Sequence, residues 1–201
     1  MVNKDLITDR RVRRTKKLLK QAFIELMYEK SYEQITVTDI VDLADYNRAT
    51  FYRHYNQKED IVKEIIADQT NGLIKAFKIP YKKNNYIHLK ALAPSEIIIF
   101  NYILENKYFY ELWREFETIP WFYDTYLNSI TRFIKLEISL ITPYQDGLDN
   151  NMYASFYAYG ILGIILDWIK NDFVQSPDYM AEQLCKILNY YPAESFIMSN
   201  S

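Results

Sequence analysis

Glycine is scarce in this chain: four in 201 residues, alongside six prolines. Hairpins and tight strand connections draw on Gly, Pro and Asn-Gly, so a chain this poor in them is expected to be all-α. Apolar residues make up 49% of the sequence. That suffices for one mid-sized domain, or for a small domain docked on a larger one.

The near-zero net charge of −2 conceals an uneven distribution. Residues 1–66 carry 13 basic and 11 acidic side chains, and the rest carries 11 and 15. The sharpest feature is Arg10 to Lys20, with seven basic residues (Arg10, Arg11, Arg13, Arg14, Lys16, Lys17, Lys20) and no acid. A local basic run in an otherwise acidic protein points to a polyanion at one end, or to a solvated helix face.

Helical periodicity organises the first third. Val12, Leu19, Ala22, Phe23, Leu26 and Met27 form one stripe up to Glu29, and the polar stretch Lys30 to Ile35 breaks it. Thr36 reads as the N-cap of a short second helix, with Asp39 completing a capping-box-like pair and Ile40, Val41, Leu43 and Ala44 on its apolar face. Asp45-Tyr46 reads as a turn. Asn47 caps a third helix, Arg48 to Tyr55, and Lys58-Glu59-Asp60 begins a fourth that runs to about Phe77. Pro80 and Lys82 to Asn85 mark a linker. The boundaries expected are therefore 1–66 for a small N-terminal domain, with its fourth helix linking on to about 79, and 80–201 for a larger helical one. In the latter, helices are expected from Pro94, over Lys107–Glu117, Trp121–Ile141 and Asp149–Phe173, and from Pro177 to about Tyr190.

Two short helices joined by a tight turn make a helix-turn-helix, whose second helix enters the major groove. The residues suit that task. Arg48 can bond a guanine edge in bidentate fashion, Thr50 can meet a base or a phosphate, and Ala49 allows close approach. Tyr52, Arg53, His54 and Lys58 supply phosphate-directed donors. Phe51 and Tyr55, four apart, face the core. Thr36 and Thr38 begin the preceding helix beside the same surface.

The ordered run Thr36, Asp39-Ile40, Ala44, Thr50-Phe51-Tyr52-Arg53-His54-Tyr55 and Lys58-Glu59 resembles the DNA-binding domain of TetR-family (tetracycline-repressor-like) bacterial regulators. The match covers about residues 10–66. It implies phosphate contacts by Tyr52 and Lys58, capping and a backbone contact by Thr36, and groove-facing positions for Arg48, Ala49, Thr50 and His54. One departure is Asp45, which stands where the family's turn usually carries Gly. Asp tolerates the left-handed region better than most residues, so a slightly strained but normal turn is expected.

Beyond residue 66 the resemblance rests on helical layout and on Gly160-Ile161-Leu162-Gly163 through Trp168-Ile169 and Ser176-Pro177. It implies that the second domain dimerises through its last two helices and binds a small effector. The aromatic-rich region offers Phe100, Leu104, Trp113, Phe116, Tyr126, Phe156 and Tyr159 as candidate pocket walls for a small hydrophobic or aromatic effector, against the plainer alternative of core packing. Gly160, Gly163, Ile164, Trp168, Leu184 and Leu188 are the candidate dimer residues.

The function expected is that of a sequence-specific, homodimeric regulator of a double-stranded DNA operator: a repressor released by a small-molecule effector. The alternative is a TetR-like DNA-binding or co-activator protein controlled by a protein partner, with no ligand. No Gly-rich phosphate loop, metal-ligand spacing or nucleophile elbow is present, so no enzyme activity, cofactor or metal is expected. His88 has no partners at metal-ligand spacing. Cys185 is the single cysteine and should pack as a small hydrophobe. No apolar run reaches the length of a membrane span, since Gly160 to Ile169 is interrupted by Asp167. With no apolar leader either, a cytoplasmic location is expected.

Overall fold

A computed structural model describes residues 4–79, 93–112, 124, 127–133, 135–136 and 149–189, with side chains from Arg10 onward. Every regular element among them is helical. Helix α1 spans Lys4–Glu29, α2 Val37–Leu43, α3 Arg48–Tyr52 and α4 Lys58–Phe77. A 3₁₀ turn, Tyr32–Gln34, joins α1 to α2. A second 3₁₀ turn, Pro94–Glu96, precedes α5 (Ile99–Glu105) and α6 (Lys107–Glu111). Helices α7 (Asn150–Lys170) and α8 (Pro177–Asn189) complete the described chain.

The chain divides into two compact units: Met1–Gly72 with Asn106–Phe133, and Leu73–Glu105 with Ile134–Ser201. The first unit thus holds the expected N-terminal domain and also α6, which the sequence had assigned to the second. Two contacts show why. The Tyr28 ring of α1 stacks on Tyr108 of α6 at 4.4 Å, and the Tyr28 hydroxyl donates to the Tyr108 carbonyl and to Glu111. The core of this unit is the predicted stripe of α1 (Leu19, Ala22, Phe23, Leu26, Met27) closed by Ile40, Val41, Phe51, Tyr55, Ile61, Val62, Ile65 and Ile66. The stretch between α1 and α2 is not the purely polar break its composition suggests, because Tyr32 and Ile35 are both buried.

In the second unit, α7 has two apolar faces. One buries Ala154, Ala158, Ile161, Leu162, Ile165, Trp168 and Ile169. Trp168 meets Phe100 of α5 at 5.4 Å and Phe173 at 5.1 Å, and its indole N–H donates to the Gln175 carbonyl at 2.9 Å. The ends of α7 are well defined. The Asp149 carboxylate accepts from the Asn151 and Met152 amides, a cap worth about 1 kcal/mol. The exit is a Schellman motif, in which the Phe173 amide donates to the Trp168 carbonyl and the Asp172 amide to that of Ile169. Helix α8 starts on Pro177, with the Ser176 hydroxyl accepting from the Tyr179 amide. It buries Met180, Ala181, Leu184, Cys185 and Leu188 as one stripe. By length and composition α7 is apolar enough to cross a membrane, against the expectation that nothing in the chain is; its burying face makes it a core helix of this unit.

Candidate nucleic-acid interface

The helix-turn-helix forms from local signals. Thr36 caps α2: its hydroxyl accepts from the Asp39 amide at 3.2 Å, and the Asp39 carboxylate accepts from the Thr36 amide at 2.7 Å and from its hydroxyl at 2.8 Å. Lys30, the residue after α1, pairs with Asp39 at 2.9 Å. That ammonium, with the Thr36 hydrogen bonds, holds the Asp39 carboxyl down at about 2. Helix α2 ends in a Schellman motif: the Tyr46 amide donates to the Val41 carbonyl at 2.8 Å and the Asp45 amide to that of Asp42 at 3.3 Å. Asp45 takes the left-handed C′ position with φ 56°, as expected for the residue standing where glycine is usual. Asn47 then caps α3, accepting from the Thr50 amide at 2.8 Å.

Helix α3 is shorter than expected, ending at Tyr52 with Arg53 and His54 in the turn that follows. Its phase separates anchors from readers. Phe51 is fully buried and Tyr55 nearly so, with their rings 5.5 Å apart. Arg48, Ala49, Tyr52 and Arg53 are exposed, and Thr50 and His54 are half-buried. Tyr52 leans edge-on against Phe51 at 5.5 Å, which fixes its ring while leaving it open to solvent. The Thr50 hydroxyl donates to Asn47 at 3.0 Å, so its lone pairs and methyl are what it can offer a base edge. Thr36 and Thr38 are exposed at the start of α2.

Charge around α3 is set by α1 and α4. Lys16 donates to Glu64 at 2.7 Å, Lys20 donates to the other Glu64 oxygen at 3.1 Å, and Lys20 also pairs with Asp68. Burial pushes the Glu64 carboxyl up, but the two ammonium groups outweigh it and hold it below its ordinary value. Two of the seven basic residues of the Arg10–Lys20 run are therefore engaged with α4; Arg10, Arg11, Arg13, Arg14 and Lys17 are exposed. Partial burial, then Lys16 and Arg53, push the His54 imidazole below its ordinary value, toward the neutral form.

Lys58 sits differently from the expectation of a phosphate contact. Its ammonium donates to the carbonyls of Tyr32 at 2.7 Å, Ile35 at 3.0 Å and Glu33 at 3.4 Å, and lies 4.2 Å from the Tyr32 ring centroid. The adjoining Glu59 accepts from the Tyr32 hydroxyl at 2.7 Å. Neither Tyr32 nor Glu64 is marked by any sequence motif, and Glu59 is marked only as part of the α4 start. The one signal available was an aromatic and an isoleucine bracketing an otherwise polar connector.

Four of the seven second-domain pocket candidates are described, and they do not share one face. Phe100 is fully buried against Trp168. Leu104 is exposed, and Phe156 and Tyr159 are 74% and 60% exposed. Phe156 lies two residues from both Ala154 and Ala158, about 200° round the helix, so it points away from the core they join. Trp113, Phe116 and Tyr126 fall outside the described residues, as does His88. Of the dimer candidates, Trp168, Leu184 and Leu188 are buried inside the protomer; their surface is already spent on their own chain. Gly160 and Gly163 are exposed and Ile164 is half-buried. The exposed residues of α7 are therefore Asn151, Met152, Phe156, Tyr159, Gly160, Gly163, Asp167 and Lys170, apolar in the middle and charged toward the C-terminal end.

Comparison with known proteins agrees with this architecture. A family model described as "Bacterial regulatory proteins, tetR family" matches residues 19–65, and one described as "Transcriptional regulator C-terminal region" matches residues 93–190. Among curated proteins the chain is similar to the uncharacterized HTH-type transcriptional regulator YxbF of Bacillus subtilis, 25% identical over 171 residues (85% of this chain, 44% of that protein). It is also similar to the HTH-type dhaKLM operon transcriptional activator DhaS of Lactococcus lactis, 29% identical over 97 residues (48% of this chain, 47% of that protein). The chain spans less than half the length of these curated relatives. In fold it is similar to a TetR-family regulator from Syntrophomonas wolfei (TM-score 0.69, 17% identity, 88% of this chain and 94% of that one). A regulator from Aquifex aeolicus gives a TM-score of 0.62 at 21% identity over 87% of this chain and 98% of that one. With a helix-turn-helix of this geometry and both family models matched, the chain belongs to the TetR family of bacterial transcriptional regulators.

Proposed function

We propose that the protein binds a DNA operator as a homodimer, with α3 in the major groove. Arg48, Ala49 and Thr50 then meet base edges, Tyr52, Arg53 and His54 meet phosphates, and Thr36 and Thr38 border the backbone. The observation that carries this reading is the division of α3: Phe51 and Tyr55 are buried and lock it, while Arg48, Ala49, Tyr52 and Arg53 are exposed. The exposed apolar face of α7 supports pairing of two copies. Among the described residues a Cβ on Gly160 or Gly163 meets nothing within 4 Å, so a helix of a second copy has room for a close backbone approach there. The test is binding to DNA from the protein's own upstream region, against a scrambled competitor, for wild type and Arg48→Ala. Loss of an Arg–guanine pair should cost about 1–3 kcal/mol and relax preference at one base step. A wild type that selects no sequence, even from random DNA, sinks the reading.

For control, the observations favour a protein partner over release by a small molecule. Phe100 faces inward and Phe156 and Tyr159 face outward, so these three do not wall one cavity; the relative DhaS, named an activator, bears on activation against repression and not on what controls it. Repression relieved by a small hydrophobic or aromatic effector remains the competing reading. A titration in which such a compound weakens operator binding would decide for it, since effector and operator must then weaken each other reciprocally.

A further inference from the structure

The start of α4 carries two adjacent side chains that reach the same connector. Lys58 places its ammonium among the carbonyls of Tyr32, Glu33 and Ile35, and Glu59 takes the Tyr32 hydroxyl. Those carbonyls belong to the 3₁₀ turn and its exit, the partly negative end of a helical segment, where a cation is favoured. The Tyr32 ring adds its face to the same charge at 4.2 Å. Tyr32 is also held from behind, its ring edge-on to Phe23 of α1 at 6.3 Å. Ile35, at the far end of the connector, is buried, and the next residue is Thr36, the cap of α2.

An ammonium has three hydrogens, and here three carbonyls lie within reach. Swinging it out to a phosphate would strip a charged donor from all three carbonyls, and hydrogen bonds to a charged group are the costly ones to break. We propose that Lys58 serves operator binding as a positioning residue and not as a phosphate ligand: with Glu59 it clasps the Tyr32–Ile35 connector and so sets where α2 begins. Because α2 packs on α3, the clasp fixes the presentation of α3 to DNA. The inference rests on the DNA-binding reading above.

The experiment compares full-length wild type, Lys58→Met and Tyr32→Phe well below their thermal transitions. It reads operator Kd across a salt series, together with amide exchange of residues 32–37. Lys58→Met should weaken binding about tenfold, leave the slope of log K against log salt as in wild type, and speed exchange in the connector. Tyr32→Phe keeps every charge and removes only the hydroxyl held by Glu59; it should weaken binding a few-fold, again with the wild-type slope. A slope shallower by about 0.9 per lysine would mean a direct phosphate contact and overturn the proposal. An unchanged Kd with only a lowered Tm would make the clasp purely structural and overturn it equally. Should Lys58→Met fail to fold, Tyr32→Phe decides alone, and wild-type affinity there overturns the proposal. If wild type selects no DNA, the function reading is what has failed. The exchange measurement still judges the clasp, and unchanged protection of residues 32–37 in Lys58→Met refutes it.

Discussion

Lys16 of α1 and Glu64 of α4 meet at 2.7 Å, so part of the basic run of α1 is spent inside the protein. Glu64→Gln removes the negative charge shared by Lys16 and Lys20 and leaves one amide oxygen where two carboxylate oxygens had accepted. The pair is partly exposed, so the loss should be about 0.5–1 kcal/mol, or roughly 1–4 °C in Tm. Lys16, once released, becomes available to phosphates. Glu64→Gln should therefore bind DNA more tightly at low salt, with a steeper salt dependence. A variant that loses stability but shows wild-type salt dependence would place Lys16 away from the DNA path.

Asp45 holds the turn before α3 in the left-handed region at φ 56°. Glycine has no Cβ penalty there, and the Schellman bonds of Asp45 and Tyr46 are backbone bonds that any residue retains. Asp45→Gly is expected to stabilise the protein by about 0.5–1 kcal/mol. Asp45→Val, β-branched at positive φ, should destabilise it. Thermal melts of the pair check this, and a Gly variant melting below wild type would show that the Asp side chain itself supports the turn.

Acid sensitivity follows from Asp39. Its folded-state pKa of about 2 lies below the ordinary 3.8, so the unfolded chain binds the proton more readily. The stabilisation is complete above the ordinary value and is lost as pH falls from about 4 through 2. Asp39→Asn should flatten the acid limb of the stability curve in that window and leave the rest of it parallel to wild type. An acid limb identical in the two proteins would assign it to other carboxylates, Glu64 first among them, since its pKa is also depressed.

The two faces of α7 should respond differently to substitution. Phe156→Glu and Gly160→Leu lie on the exposed face, so they should leave the protomer's fold intact while shifting sedimentation from dimer to monomer. Trp168→Ala, on the buried face, should cost about 3–5 kcal/mol and register in melts before it registers in assembly. Phe156→Glu sedimenting as wild type would rule out the proposed pairing of two copies through this face.

Much of the first unit was legible in the sequence because its signals are local. Thr36 with Asp39, Asn47 with Thr50, the Asp45 turn and the Lys58 start of α4 each act within a few residues, and all formed where the pattern placed them. Phe51 and Tyr55 faced inward for the same reason: although α3 ends at Tyr52, the Tyr55 amide still donates to the Phe51 carbonyl at 3.0 Å, and that helical spacing puts them on one side. The helix-turn-helix itself is such a local pattern, and it carried the family.

What the sequence alone could not fix was the direction of side chains whose partners lie far along the chain. Lys58 reads as a surface cation until the connector folds back 23 to 26 residues away and offers its carbonyls. Lys16 reads as part of a DNA-facing run until Glu64 arrives from 48 residues on. On α7, composition marks both faces as apolar, so periodicity cannot say which is core. Only the packing of α5 against Trp168 turns Phe100 inward and leaves Phe156 and the glycines outside. Capping, turns and helix phase are decided by neighbours in sequence. The use made of a charge or an aromatic is decided by neighbours in space, and those exist only once the chain has closed on itself.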